Sequence, residues 1–268
     1  MDTARIAELL DPFFRAPLES LSQSNHSQSA KAGVESDALS IAQLQYISTY
    51  IDILQRWNAR INLTAIRDPE EMVTRHFGES LFAARQLFPT GRAVHDAAAA
   101  EGETASPTVR GGRAALQGRV GSQEKIGALA PGVTTVADVG SGAGFPGLPL
   151  KLWAPHIALT LIESNHKKAT FLREVTRALT LTDVDIQNTR VEALAGTSFD
   201  TVTLRAVERF ESVLPTAASL VAPSGRLALL IGSDQQDVAY STLPCLDWSA
   251  PAPIPQSRSR ILLVGQDN

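Results

Sequence analysis

Residues 138–147, Asp-Val-Gly-Ser-Gly-Ala-Gly-Phe-Pro-Gly, hold the densest set of chemically suggestive positions in this chain, with four glycines in eight residues. Glycine takes positive φ at little cost and lets a ligand come close to the backbone. An apolar run at 134–139 leads into the loop, and a helical pattern starts near Gly147. α/β proteins hold nucleotide-like ligands at such strand–loop–helix junctions. Two registers fit. Gly142, Gly144 and Gly147 match the dinucleotide pattern G-x-G-x-x-G. One step earlier, Asp138, Gly140, Gly142 and Gly144 form a D-x-G-x-G-x-G loop. The second register suits the residues better. Asp138 stands where it can orient the loop or meet a cationic group, and Pro146 has no amide to offer a pyrophosphate.

A second acidic position follows. The apolar run 158–162 ends in Glu163, 23 residues after Gly140. A carboxylate there can bridge two ribose hydroxyls, which suits either a nicotinamide dinucleotide or S-adenosylmethionine. S-Adenosylmethionine has no phosphate, so its loop needs close backbone approach rather than an anion nest. A third apolar run leads to Arg190-Val191-Glu192, where the adenine of such a cofactor lies in this kind of fold.

The elements needed to position these residues are legible. After 133, strand and helix patterns alternate: strands at 134–139, 158–162, 184–188, 199–204, 226–231 and 260–264, helices from 147, at 167–179 and at 212–221. Alternation of this kind predicts an α/β fold, a mostly parallel, Rossmann-like sheet with helices on both faces. Ahead of it, Ile41, Leu44, Ile47, Ile51, Leu54 and Trp57 recur at steps of three and four, predicting a helix. A second helix is expected from Asp68 and Pro69 to about Leu87. Residues 1–18 carry a short amphipathic pattern and 20–37 read as a linker. The 91–132 segment, with 18 Ala or Gly in 42 residues, reads as a flexible low-complexity insertion. The expected organisation is therefore an N-terminal helical region (1–90), the insertion (91–132) and a Rossmann-like core (133–268).

Bulk properties narrow the classes. The chain has 268 residues, 44% hydrophobic and 19% charged. No apolar run nears the roughly 20 residues of a membrane helix, and the N-terminus lacks the pattern of a secretory signal. A cytoplasmic protein without membrane partner is expected. The single cysteine, Cys245, leaves no internal disulfide and no cysteine cage, and no metal is expected. A net charge of −4 runs against a general basic footprint for nucleic acid, so any such surface must be local.

Four stretches carry a resemblance: WNARINLTAIRDPEEMVTRHFGESL (57–81), DVGSGAGFPGLPL (138–150), RVEAL (190–194) and FDTVTLRA (199–206). Together they resemble the glucose-inhibited division protein B family, the small-subunit ribosomal RNA methyltransferase G family, over roughly residues 39–235. The resemblance implies a class I S-adenosylmethionine-dependent methyltransferase fold and methylation of a guanine N7 in 16S ribosomal RNA, with the RNA or the 30S subunit as partner. It also implies that Gly140 and Phe145 flank the cofactor, that Val191 and Glu192 contact its adenine end, and that Arg205 lies on the cofactor or target side. The family usually carries aspartate where this chain has Glu79, and lysine before glycine where it has Ile231-Gly232.

The residues agree with that chemistry. Guanine N7 has a free lone pair and needs no general base, so catalysis rests on positioning, and no certain catalytic residue is expected beyond Arg205 as a candidate. Leu204-Arg205-Ala206 replaces the Asn/Asp-Pro-Pro-aromatic turn common in adenine-amine methylation. Pyrimidine C5 methylation needs a cysteine nucleophile, and Cys245 follows the wrong strand. Arg60, Arg75, His76, Lys151, Lys167 and Lys168 are RNA-facing candidates, with Arg56, Arg67 and Arg173 beside them. Trp57 reads as core rather than a stacking platform, and Asn62 and Thr64 as turn or ligand residues. Two other functions fit less well: an NAD-dependent oxidoreductase using Gly142, Gly144 and Gly147, and an inactive RNA-binding module of the same fold.

Overall fold

The computed structural model describes residues 1–18, 38–89, 132–207 and 209–267. The expected linker at 20–37 lies outside them, as does the 91–132 segment apart from Gly132.

The sheet follows from the alternation. Strands β1 (Thr135–Val139), β2 (Ala158–Ile162), β3 (Val184–Gln187), β4 (Phe199–Arg205) and β5 (Val221–Gly232) run parallel in the order β3-β2-β1-β4-β5. Beyond β5, β8 (Arg260–Gln266) returns antiparallel, and the two-residue strands β6 (Asp247–Trp248) and β7 (Ala252–Pro253) pair with it. The strand order reverses between β1 and β4, which opens a crevice at their carboxyl ends.

Strand side chains alternate between the two faces. Val136, Leu159, Leu161, Ala228 and Leu230 lie in one buried cluster, with Ala137, Val139, Val202, Leu204, Leu227 and Leu229 in the other. α7 (Phe210–Ala218) and α8 (Gln236–Thr242) contribute Leu214, Ala217 and Ala239 to the second cluster. The first cluster takes in α5 (Gly147–Trp153) and α6 (His166–Ala178), and also the N-terminal helices.

Those helices are well specified locally. α1 (Thr3–Arg15) buries Ile6, Leu10 and Phe13. α2 (Ile41–Asn58) opens with a capping box in which Ser40 and Gln43 satisfy each other's backbone N–H. Asp68 caps the next helix with Pro69 in its first turn, as the sequence predicts. That helix runs as α3 (Pro69–Glu71), a π-helical stretch (Met72–Gly78) and α4 (Glu79–Leu87). The widened π turn escapes the 3.6-residue pattern, and such turns recur at functional sites. Gly78 lies within it because Phe13 of α1 packs there, and an added Cβ would stand 2.4 Å from the Phe13 ring.

Two differences from the sequence reading have simple causes. α8 and the short strands β6 and β7 fall in 236–253, where elements of two to seven residues leave no readable period. β5 starts at Val221, five residues before the expected strand, because Val221 pairs with Phe199 ahead of the irregular register at Thr201.

Candidate cofactor cleft and arginine cluster

A cleft of about 490 Å³ lies at the carboxyl ends of β1 and β2 and beside the segment after β3. Such a volume is typical of small-molecule sites. Its lining includes Gly140, Glu163, Val191 and Glu192, so four of the expected cofactor residues are brought together. Ser164, Thr189, Arg190, Val207, Arg209 and Ser212 complete much of the wall. Of these, Arg209 and Ser212 belong to the start of α7, and no sequence motif marked them.

The loop is held by a dense set of bonds. Gly140 and Ser141 donate their N–H groups to the Ile162 carbonyl at 2.9 and 3.1 Å. Glu163 accepts from the Gly142 amide at 2.9 Å and the Asn165 amide at 2.7 Å. Its carboxylate thus ties the end of β2 to the glycine loop while standing at the cleft. Asp138 is buried beneath the loop and accepts from the Gly147 amide at 3.2 Å and the Thr203 hydroxyl at 2.9 Å. It organises the loop from below and has no exposed face toward the cleft, the first of the two roles its position suggests.

The glycines divide by what a Cβ would meet. At Gly142 (φ +56°) the nearest atom is the Gly140 carbonyl oxygen, at an ordinary 3.7 Å. At Gly144 (φ +86°) a Cβ would lie 2.3 Å from the Tyr50 hydroxyl, and at Gly147 it would lie 2.6 Å from Leu161 and 2.8 Å from Asp138. Two of the three glycines in the dinucleotide pattern therefore face protein, which weakens the oxidoreductase reading. Phe145 is also turned inward: its ring stacks between Tyr50 (5.3 Å) and His76 (4.7 Å) and is not among the cleft's lining residues.

Arg205 ends β4 one residue past the Leu204–Val139 pair, opposite Leu230 of β5. Its side chain is nearly buried and donates to Glu79 at 2.9 Å, to the Arg75 carbonyl, and to His76 Nδ1 at 3.2 Å. A guanidinium cannot accept, so His76 Nδ1 is the acceptor, and its Nε2–H then points to the Thr64 hydroxyl at 2.8 Å. Glu79 also pairs with Arg75 (3.3 Å) and Arg260 (3.4 Å), so three guanidiniums surround one buried carboxylate. Ile231 is buried in the second core cluster. The positive charge at this end of β5 comes instead from Arg260, which pairs across the ladder with Gly232 and donates to the Leu230 carbonyl at 3.0 Å.

The RNA-facing candidates separate. Arg60, Lys167 and Arg75 are exposed or half-exposed, and Lys168 is half-buried in the first turn of α6. Lys151 needs correction. It is buried, and its ammonium donates to the carbonyls of Pro155 (2.7 Å) and Ile157 (2.6 Å), closing the turn after α5. Burial lowers its pKa. We expect Lys151→Met to lower Tm by several degrees and leave the KM for RNA unchanged. His76 is likewise interior. Trp57 donates to Glu174 at 2.9 Å and packs edge-on against Phe171. Asn62 accepts from Arg67 (3.4 Å), while the unexpected organiser of that turn is Asn58, which accepts from the Leu63 and Thr64 amides and donates to the Thr64 carbonyl. Cys245 is exposed.

Two buried groups titrate in opposition. Burial, with Arg205, Arg75 and Arg260, holds His76 down to about 3. Burial pushes Asp138 up to about 7, against hydrogen bonds from Thr203 and Gly147. The His76 contribution is present above about pH 6.5 and is lost as pH falls toward its folded value. The Asp138 contribution is present at acid pH and is lost as pH rises through about 7. Between about pH 4 and 6.5 the two offset. Asp138→Asn should therefore show a Tm that falls more steeply on acidification than the parent's, and His76→Gln a shallower fall or a rise, read by thermal melts at pH 4.5 and 7.

The chain is similar to several known proteins. A family model described as rRNA small subunit methyltransferase G matches residues 43–98 and 125–242. A ribosomal RNA small subunit methyltransferase G from Xanthomonas axonopodis pv. citri is 33% identical over 207 residues, 77% of this chain and 77% of that protein. One from Halorhodospira halophila is 34% identical over 204 residues, 76% of this chain and 75% of its own. Among solved structures, a ribosomal protein L11 methylase from Lactobacillus delbrueckii subsp. bulgaricus aligns with TM-score 0.45 and 18% identity, over 51% of this chain and 71% of that one. With the model spanning more than half of its residues and such relatives matching three quarters of its length, the chain belongs to the rRNA small subunit methyltransferase G family.

Proposed function

We propose that this protein transfers a methyl group from S-adenosylmethionine to N7 of a guanine in the 16S RNA of the small ribosomal subunit, in the cytoplasm. The observation that carries the reading is the cleft at the switch point, lined by Gly140, Glu163, Val191 and Glu192, in a chain of this family. The residues fit the cofactor. Gly142 leaves room where a side chain would stand, Glu163 offers carboxylate lone pairs to ribose hydroxyls, and Val191 gives an apolar surface for adenine. When bound, S-adenosylmethionine supplies an electrophilic methyl on a sulfonium.

The protein's own work is placement. The loop, fixed by Asp138 and Glu163, sets the backbone around the cofactor's methionine part. Arg205, held by Glu79 and His76, keeps a positive group fixed at the end of β4, next to the loop. Guanine N7 attacks with its own lone pair, so no side chain has to take a proton. Alignment at near-attack distance is the main source of rate.

The test is methyl transfer from labelled S-adenosylmethionine to 30S subunits and, in parallel, to naked 16S RNA, both prepared without this modification. Label should appear in 16S RNA, as N7-methylguanosine by mass spectrometry of the digested RNA. Label on an exocyclic amine or a base carbon would overturn the N7 assignment. Cofactor binding with no transfer to either substrate would favour the inactive RNA-binding module.

A further inference from the structure

The N-terminal helices meet the cofactor loop through rings packed on Phe145 and through one hydrogen bond, from the Tyr50 hydroxyl. Tyr50, on α2, is fully buried, and its hydroxyl donates to the Ala143 carbonyl at 2.5 Å. Ala143 lies between Gly142, where a Cβ would meet no crowding, and Gly144, where it would meet the Tyr50 oxygen at 2.3 Å. The Tyr50 ring lies parallel to Phe145, with 6° between planes, and the edge of Phe77 closes the other contact at 5.1 Å. The remaining loop bonds described above come from β1, β2, β4 and the loop itself. The bond to Ala143 comes from a helix 93 residues earlier. Burial and the nearby Asp138 keep the phenol protonated well beyond neutral pH, so it remains a donor.

We infer that Tyr50 is a positioning residue for cofactor binding: its hydroxyl fixes the 143–144 peptide and so holds Gly142 in the shape that receives the cofactor. Without that donor the buried Ala143 carbonyl loses its partner. The peptide is then freer to rotate, because Gly144 on its far side tolerates many φ values. The N-terminal helical layer is in this sense part of the cofactor site, although it contributes no lining residue to the cleft.

The inference rests on the cofactor reading above, and calorimetry with S-adenosylhomocysteine separates the two. If the parent protein does not bind it, the cofactor reading fails. If the parent binds, Tyr50→Phe should bind about 10-fold more weakly at a temperature where both are folded by circular dichroism. kcat at saturating cofactor and the KM for RNA should stay within about twofold. Phe77→Leu is the comparison: it loosens the ring packing on Tyr50 and Phe145 but keeps the Tyr50–Ala143 bond, and its loss of affinity for S-adenosylhomocysteine should be clearly smaller than that of Tyr50→Phe. Gly144→Ala presses on the contact from the other side. Its loss of affinity should be smaller in the Tyr50→Phe background than in the parent, since the nearest crowding atom, the Tyr50 oxygen at 2.3 Å, is gone while Leu148 at 2.7 Å stays. Equal affinity of Tyr50→Phe and parent overturns the inference, as does additive loss in the double variant or an equal loss in Phe77→Leu.

Discussion

Gly142→Val abolishes binding of S-adenosylhomocysteine, by about 100-fold or more, while Tm falls by only a few degrees. The contrast comes from what surrounds this glycine. A Cβ at Gly142 meets no protein atom closer than 3.7 Å, so the folded core has no clash to absorb. The cost to folding is the strain of a β-branched residue at φ +56°, on the order of 1–3 kcal/mol. The cost to binding is larger. The isopropyl group takes up the open space beside Gly142 and disturbs the amide that donates to Glu163, a residue of the cleft wall. The same substitution at Gly144 or Gly147 would behave differently, since a side chain there collides with Tyr50 or with Leu161 and Asp138, and stability would fall first. Calorimetry and thermal melts on the three variants would separate a ligand-facing glycine from two packing glycines. Normal affinity in Gly142→Val would place the cofactor elsewhere.

That division marks the boundary of what the sequence discloses. A glycine-rich loop between a strand and a helix is visible from spacing alone, as are the sheet alternation and the carboxylate ending β2, because backbone periodicity and turn chemistry are local properties. The role of each glycine is not local. Gly144 is fixed by a tyrosine 94 positions earlier, and Gly78 by Phe13 of α1. Lys151 looks like an exposed cation by residue type, and only the turn after α5 shows its ammonium spent on two carbonyls. Charge partners were equally hidden. Glu79, Arg205 and Arg260 are separated by more than a hundred residues at the first step and by fifty-five at the second, and no short motif links them. The π-helical turn that carries Arg75 and His76 toward Arg205 breaks the periodicity from which helices are read.

Glu79→Ala is the substitution with the largest expected effect on stability. Its carboxylate is buried, with only 2% of the side chain accessible, and it faces Arg75, Arg205 and Arg260. Taking away one partner of a buried ion pair leaves the other charge without compensation, and typically costs about 3–5 kcal/mol. For a chain of this size each kcal/mol shifts Tm by roughly 2–4 °C, so a fall of roughly 6–20 °C is expected. Glu79→Asp keeps the charge and should cost far less. Arg205 is the guanidinium with least access to solvent, so it bears most of the penalty. Adding Arg205→Met to Glu79→Ala removes that stranded charge, and Tm should recover in part. Methyl transfer should not recover, because Arg205 is also the group that Glu79 holds beside the glycine loop. A Glu79→Ala variant melting within about 2 °C of the parent would show that Arg75, Arg205 and Arg260 are compensated by other groups. Recovery of both stability and transfer in the double variant would remove Arg205 from the site and leave Glu79 a purely structural carboxylate.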